Sequence, residues 1–295
     1  MNKTIKCGEL TWVNLVSPSA KEISDLAKEY FLEPLVAEEL TSLTMRSKID
    51  VYENNLYFVL HFPDTNQGPG CEIDFVIGKN FLITTQYCYL PALEKFIKNA
   101  ASKEEFRKEC FGNKPAALVL NILKELYDSA LHQIDEMHIK TNKIEQQIFN
   151  GDEKQNLKKI SLLRRDILDF QRAFYLHGGI LSSFEKIFQE NKHELNIVVG
   201  QYMEIKNLIE NSKEIIGTLH ETNESLLSTK TNEIMKVLTI MAFITFPLML
   251  LSSIFGMNTV YTPIFGMRGD FWIIIGIMFV ATFGMFLFFK NKKWL

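Results

Sequence analysis

Charge is almost absent from one long stretch of this chain. Between residues 237 and 289 only Arg268 and Asp270 are charged, although charged residues make up 23% of all 295. The mean hydropathy of +0.01 therefore averages a soluble-type part, residues 1–236, with a nearly neutral tail. This distribution argues against a purely cytosolic protein.

A surplus of basic residues is also missing. Residues 1–236 hold 28 of the 32 basic and 34 of the 35 acidic side chains, a net charge of −6. Because a nucleic-acid partner requires cations to neutralise its phosphates, we expect no nucleic-acid binding.

Cysteine is scarce and widely spaced. Cys7, Cys71, Cys88 and Cys110 form no C-x-x-C pair, which excludes the usual zinc and redox motifs. We interpret all four as reduced, mostly buried thiols. The N-terminus lacks an apolar secretory segment, so we expect the bulk of the chain to be cytoplasmic.

Motifs of catalysis are missing as well. No G-x-G-x-x-G, P-loop or G-x-S-x-G occurs, so neither an enzyme nor a bound cofactor is predicted. His132 and His138 lie six residues apart, on different faces of a helix, which favours solvated surface over a metal site. Glu221 and Glu224 would attract cations, but charges on a long helix are more often a solvated face.

Residues 1–114 are predicted to form a small domain, because both helical and strand periodicities occur there. A strand is predicted near Trp12 to Val16, and Ser19 with Glu22 forms a capping box before a helix. Gly78-Lys79-Asn80 between two β-prone runs predicts a tight hairpin. The expected fold class is α+β, with a largely antiparallel sheet.

Residues 115–192 are predicted to be a helical hairpin, interrupted by a turn at Asn150-Gly151-Asp152 and again at Gly178-Gly179. Residues 193–255 follow as one continuous helix. At 1.5 Å per residue it would span roughly 95 Å. Such a helix is too long for one globule, so we expect a stalk that joins a cytoplasmic body to a membrane.

Two uncharged stretches, residues 237–255 and 271–289, are each about 28 Å long as helices, close to the ~30 Å of a hydrocarbon core. They predict two transmembrane helices joined by an extracytoplasmic loop, residues 256–270. Lysines flank them at Lys230, Lys236 and the basic C-terminus, residues 290–295. The positive-inside rule then places both termini in the cytoplasm.

One stripe of the first span has alternating spacings of three and four, as in a helix that packs against copies of itself. Its members are Asn232, Met235, Thr239, Ala242, Phe246, Met249 and Ser253. Ile240, Met241, Ile244, Leu248 and Leu251 lie off this seam and suit either lipid or the second span. Pro247 removes one backbone hydrogen bond, which neighbouring helices tolerate better than lipid does.

Gly256-Met257-Asn258 follows the first span without a gap, and the chain ends Lys-Asn-Lys-Lys-Trp-Leu. This arrangement resembles the CorA family of divalent-cation channels, whose signature is a Gly-Met-Asn triplet after the first of two C-terminal spans. The resemblance extends to the whole layout of α/β domain, long helices and membrane hairpin.

The resemblance implies a homopentameric funnel in the cell (inner) membrane that admits Mg²⁺, or Co²⁺ or Ni²⁺. Gly256, Met257 and Asn258 would be the selectivity filter, with Asn258 and Gly256 meeting the hydrated ion. Phe246 with Met249, and Met235 with Leu238, would be apolar gates, and Asn232 a second ring of oxygens. Lys290, Lys292 and Lys293 would resemble the family's basic collar. Mg²⁺ would be the cargo and a candidate regulatory ion.

Some features depart from the family's pattern. The loop after the triplet has Asp270 as its sole carboxylate, which weakens cation concentration at the mouth. Ile197 to Gln201 stands where magnesium members carry an Asp-x-x-Asp-His metal cluster. Gly-Met-Asn also occurs in a zinc-transporting branch, so a zinc transporter, proton-coupled or not, stays open. A membrane-tethered helical sensor without an ion path is the alternative from another class.

Overall fold

The computed structural model describes residues 2–44, 46–64, 68–148, 153–257, 264, 266 and 268–292. These residues form two compact units, Met1–Glu221 and Thr222–Leu295. The first unit contains all the strands that the structure describes. The second contains the membrane-type part of the chain.

A six-stranded sheet is the centre of the first unit. Its order is β1-β2-β6-β5-β4-β3. The strands are β1 (Lys3–Cys7), β2 (Leu10–Val16), β3 (Lys48–Val51), β4 (Leu56–Asp64), β5 (Gly68–Ile77) and β6 (Phe81–Gln86). Every pair is antiparallel except β2 and β6. The largely antiparallel sheet predicted from the sequence is confirmed.

The β5–β6 hairpin turns where the glycine signal predicted. The Gly78 amide donates to the Phe81 carbonyl over 3.0 Å, and the register continues through Ile77 and Leu82. The turn is tight because only Gly78, Lys79 and Asn80 connect the two strands.

One face of the sheet is covered by α1 (Ala20–Glu29) and α2 (Pro34–Glu39). Ser19 and Glu22 form the predicted capping box, with the Ser19 amide donating to Glu22 Oε2 at 2.8 Å. Phe31 follows this helix with a φ of 51° and is 83% exposed. The chain turns there, so its side chain leaves the apolar face.

Helices α3 to α7 cover the opposite face. Because strand side chains alternate, Val59 faces α1 and α2, whereas Phe58 and Phe62 face this second layer. The helices are α3 (Pro91–Ser102), α4 (Glu104–Phe111), α5 (Pro115–Ile148), α6 (Glu153–Phe174) and α7 (His177–Ile187).

Gly178 and Gly179 do not interrupt a helix, contrary to the sequence prediction. Both lie in the first turns of α7, and the break falls earlier, at Tyr175 and Leu176. A Cβ atom on Gly178 would lie 2.8 Å from the Tyr202 hydroxyl, so close packing accounts for this glycine. The other predicted interruption, Asn150 to Asp152, lies outside the described residues.

The expectation of four reduced cysteines is wrong for one pair. Cys71 of β5 and Cys88, two residues beyond β6, form a disulfide with their Cα atoms 5.7 Å apart. Strand pairing brings together two residues that are 17 positions apart in sequence. Cys7 and Cys110 are free thiols, and burial raises the pKa of Cys110 to about 11.

Two further helices complete the chain. A short 3-10 turn, Gln189–Asn191, precedes α8 (Lys192–Phe255), which runs through Pro247 without a break, and α9 is Asp270–Asn291. Both α8 and α9 are long and apolar enough to cross a membrane, and almost no residue in the most apolar 18-residue stretch of either helix is buried.

Candidate ion path along helix α8

The covered side of α8 lies opposite the predicted seam. From Ile240 onward, the least exposed large apolar side chains of α8 recur every three to four residues: Ile240, Ile244, Leu248, Leu251 and Phe255. At 100° per residue this row points about 170° away from the seam. Phe243 of α8 meets Phe289 of α9, with ring centroids 6.3 Å apart. This contact joins the two spans at a position about 100° around α8 from the row.

The seam itself stays uncovered in the single chain. The three large apolar seam members and Leu238 beside the seam, which are the residues proposed as gates, are more than half exposed: Phe246 65%, Met249 64%, Met235 56% and Leu238 54%. Asn232 and Ser253 are exposed, whereas the smaller Thr239 and Ala242 are half-buried. The structure thus leaves one whole side of the helix available to neighbours or to an ion path.

Hydroxyl groups on this helix are engaged locally. Thr239 Oγ1 donates to the Met235 carbonyl at 2.7 Å, and Thr245 Oγ1 donates to the Met241 carbonyl at 2.8 Å. A threonine hydroxyl that donates its proton to a carbonyl of the preceding helical turn has only its oxygen lone pairs left to contact an ion. Asn232, at the other end of the seam, carries an amide oxygen suited to a cation.

The C-terminal end of α8 is tightly wound. The Gly256 amide donates to the Ser252 carbonyl at 2.9 Å, and the Met257 amide donates to the Ile254 carbonyl at 3.3 Å. Met257 is 58% exposed. Asn258, the third residue of the predicted filter, lies outside the described residues. Its role remains a sequence-based prediction.

Asp270, the sole carboxylate of the loop in sequence, bonds to backbone amides at the start of α9. Asp270 Oδ1 accepts from the Phe271 amide at 2.7 Å, and its Oδ2 accepts from the Gly266 amide at 3.4 Å. A carboxylate at a helix N-terminus is stabilised by the helix dipole. At the other end of α9, Lys290 and Lys292 are exposed, and Lys293 lies outside the described residues.

The described residues contain no group of three or more metal-binding side chains. His132 Nδ1 bonds the Asp128 carbonyl at 2.7 Å, and His138 Nε2 bonds Ser212 Oγ at 2.7 Å, so the two histidines do not converge. Gln201, at the end of the segment aligned with the family's metal cluster, bonds Asp128 of α5. Gln201 therefore joins α8 to α5.

Two titratable groups that sequence reasoning did not single out are buried in the first unit. Burial raises the pKa of Asp74 to about 7, although Tyr57 and Thr85 donate to its carboxylate. Burial lowers the pKa of His177 to about 3. In sequence, Asp74 lies between apolar residues of a β-strand, and this is the one sequence feature that points to it.

Comparison with known proteins settles the family. The family model described as "CorA-like Mg2+ transporter protein" matches residues 8–292. The chain belongs to the CorA family. That family consists of transporters, not enzymes, which confirms the prediction that the chain has no catalytic activity.

Individual CorA proteins resemble the chain over nearly its full length. A curated relative from Thermotoga maritima, the "Cobalt/magnesium transport protein CorA", is 25% identical over 304 residues, covering 97% of this chain and 83% of its own. The solved CorA magnesium transporter from Methanocaldococcus jannaschii matches with a TM-score of 0.84 at 19% identity, covering 97% and 92% of the two chains. The full-length CmaX protein matches with a TM-score of 0.75 at 16% identity, covering 97% and 89%.

These findings confirm the fold class: an N-terminal α/β domain, a long helix and two C-terminal apolar helices. They also identify a multi-pass membrane protein.

Proposed function

We propose that this protein carries divalent cations, Mg²⁺ foremost and Co²⁺ or Ni²⁺ as well, into the cell through a homopentamer. The single observation that carries the proposal is the exposed seam on α8, opposite the less exposed row that begins at Ile240. Five such helices would place their seams around a common axis, with α9 outside. The membrane-tethered sensor gives no reason for a seam that is polar at both ends, at Asn232 and Ser253.

The filter of the proposed path is Gly256, Met257 and Asn258. Mg²⁺ loses its water reluctantly, so a ring that first recognises the hydrated ion needs neutral oxygen acceptors at a wide spacing rather than a cage of carboxylates. The Asn258 side-chain carbonyl and the Gly256 backbone would supply them. The loop fits this view, because its one carboxylate, on Asp270, is bonded to backbone amides.

Gating is proposed at two apolar rings. Phe246 and Met249 would form one ring and Met235 and Leu238 the other, since narrow apolar constrictions exclude water and hence ions. All four side chains are exposed in the single chain, so they are free to line a path between subunits.

The driving force would be the membrane potential. A divalent ion moving inward gains about 4.6 kcal/mol at 100 mV, twice the value for one charge. With both termini in the cytoplasm, Lys290, Lys292 and Lys293 would form a basic collar at the inner end of the spans.

Magnesium is favoured over zinc as the cargo. The Thermotoga relative is named for cobalt and magnesium. No observation on the described residues favours zinc, which prefers nitrogen and sulfur ligands. Zinc therefore serves as a comparison arm in the test.

The test is metal uptake into proteoliposomes with an imposed inside-negative potential, for wild type, Asn258→Ala and Asn291→Ala. Asn291 makes a matched control because it is an exposed asparagine at the far end of α9. We expect Mg²⁺ uptake to fall at least about tenfold in Asn258→Ala, equivalent to about 1.4 kcal/mol, and to stay near wild type in Asn291→Ala. Unchanged uptake in Asn258→Ala would refute the filter. Faster uptake of Zn²⁺ than of Mg²⁺ by wild type would refute the choice of cargo.

A further inference from the structure

A basic cleft lies in the first unit, within Met1–Glu221. It encloses about 580 Å³ between the segment that precedes β3, strand β4 and the C-terminal end of α6. Its lining residues are Arg46, Ser47, His61, Arg172, Ala173, Tyr175 and Leu176. Its volume falls within the roughly 300–1,000 Å³ typical of small-molecule sites.

The charged side chains that line the cleft are all positive among the described residues. None of the described lining residues is acidic, whereas Arg46 and Arg172 each contribute a guanidinium. Arg172 contacts Asp169 of its own helix at 3.3 Å, and its side chain is 71% exposed. Among the residues that the structure describes, Arg46 has no ion-pair partner. Two arginines that line one cleft from positions 126 residues apart are suited to bidentate binding of phosphate.

The floor of the cleft is held by a hydrogen-bond network. His61 Nε2 donates to the Thr44 carbonyl at 2.9 Å, so its Nδ1 accepts from Ser47 Oγ at 3.0 Å. The Glu72 carboxylate accepts the Thr44 amide at 2.9 and 2.7 Å and lies 3.5 Å from His61 Nε2. The Glu72 carboxylate is therefore hydrogen-bonded below the floor, and the segment that carries Arg46 is fixed to the sheet.

An exposed aromatic ring completes the cleft. Tyr175 directly follows α6 and is 77% exposed, with Leu176 beside it in the lining. A water-exposed tyrosine next to two arginines offers a flat surface on which a nucleobase can stack.

We propose that this cleft binds a nucleoside polyphosphate, with the phosphates on Arg46 and Arg172 and the base on Tyr175. Such a ligand would bridge the sheet and helix α6, and its binding should raise the thermal unfolding midpoint of the protein.

The test is calorimetric titration of the full-length protein in lipid nanodiscs, in about 0.15 M salt, where surface attraction is screened. The probes are ATP with and without Mg²⁺, inorganic tripolyphosphate and adenosine. The variants are Arg46→Ala, Arg172→Ala, Arg172→Lys and Tyr175→Ala. Arg165→Ala is the matched control, because it removes the same charge from α6 two turns away, outside the cleft lining.

We expect saturable binding of ATP, weakened at least about tenfold by Arg46→Ala and by Arg172→Ala, and less than about twofold by Arg165→Ala. Arg172→Lys should recover part of the loss, since it keeps the charge but not the bidentate fork. Tyr175→Ala should weaken ATP but not tripolyphosphate.

Absence of saturable ATP binding, or equal binding in Arg165→Ala and both arginine variants, would overturn the site. Tripolyphosphate binding as tightly as ATP would overturn the nucleoside part of the proposal. The binding readout is independent of ion uptake, so neither result bears on the proposed transport.

Discussion

Replacing Asp74 by asparagine tests the energetics of the sheet that supports the first unit. Asp74 is fully buried on β5, where Tyr57 Oη donates to its Oδ1 at 3.0 Å and Thr85 Oγ1 donates to its Oδ2. Burial raises the pKa of this carboxyl from 3.8 to about 7, and the nearby Glu72 charge adds to the rise. Asparagine has the same shape and stays neutral at every pH.

The sign follows from proton linkage. Because the pKa of Asp74 is higher in the folded than in the unfolded chain, the folded state binds more protons between about pH 4 and pH 7. Its contribution to stability is fully present below pH 4 and is lost as the pH rises through 7. At about 1.4 kcal/mol per pKa unit, the loss approaches 4 kcal/mol. Asp74→Asn should therefore gain on wild type by up to about 4 kcal/mol between pH 4 and pH 8.

The measurement is urea unfolding of the full chain in detergent, from pH 4 to pH 8, followed by the fluorescence of Trp12. This side chain is fully buried, and its Nε1 donates to Thr84 Oγ1 at 2.9 Å on the same sheet. Replacing Trp272 and Trp294 by phenylalanine leaves it as the only reporter. Asp25→Asn, at an exposed position on α1, is the matched control. Parallel pH profiles for wild type and Asp74→Asn would refute the reasoning.

Three other substitutions probe the gate and the packing around α7. Phe246→Ala should raise the ion leak of proteoliposomes at least about tenfold. Phe279, which is 71% exposed on α9, supplies the control, and Phe279→Ala should leave the leak unchanged. An equal leak in both variants would exclude the gate. His177→Phe loses bonds of 3.0 Å to Tyr127 Oη and to the His61 carbonyl and should cost about 1–3 kcal/mol at pH 7. Because burial lowers the pKa of His177 to about 3, the variant should also lose less stability than wild type as the pH falls from 6.5 to 3, measured by urea unfolding. Gly178→Ala should lower the free energy of unfolding by about 1–3 kcal/mol, because the added Cβ clashes with Tyr202. Gly179→Ala should be neutral or stabilising, because no atom lies within 4 Å of its added Cβ.

Local features were predictable wherever neighbours in sequence carry the physics. The Ser19 and Glu22 cap and the Gly78 turn depend on residues a few positions apart, and the sequence predicted both. The two membrane helices followed from missing charge, because a hydrocarbon core excludes charged side chains whatever the tertiary structure. The spacing of the seam likewise defined a face of α8 before any partner was known.

Tertiary structure decided what lies opposite each of these faces. Helical periodicity shows which residues share a side, but only the tertiary structure shows that the row beginning at Ile240 is less exposed than the side that carries Phe246. Gly178 looked like a helix breaker, yet the Tyr202 ring beside it makes a glycine necessary inside a helix. The Cys71–Cys88 disulfide and the cleft that Arg46 and Arg172 both line arise from strand pairing and helix docking over long sequence separations. The sequence alone determined the local elements and the membrane segments, and contacts between distant residues determined how they combine.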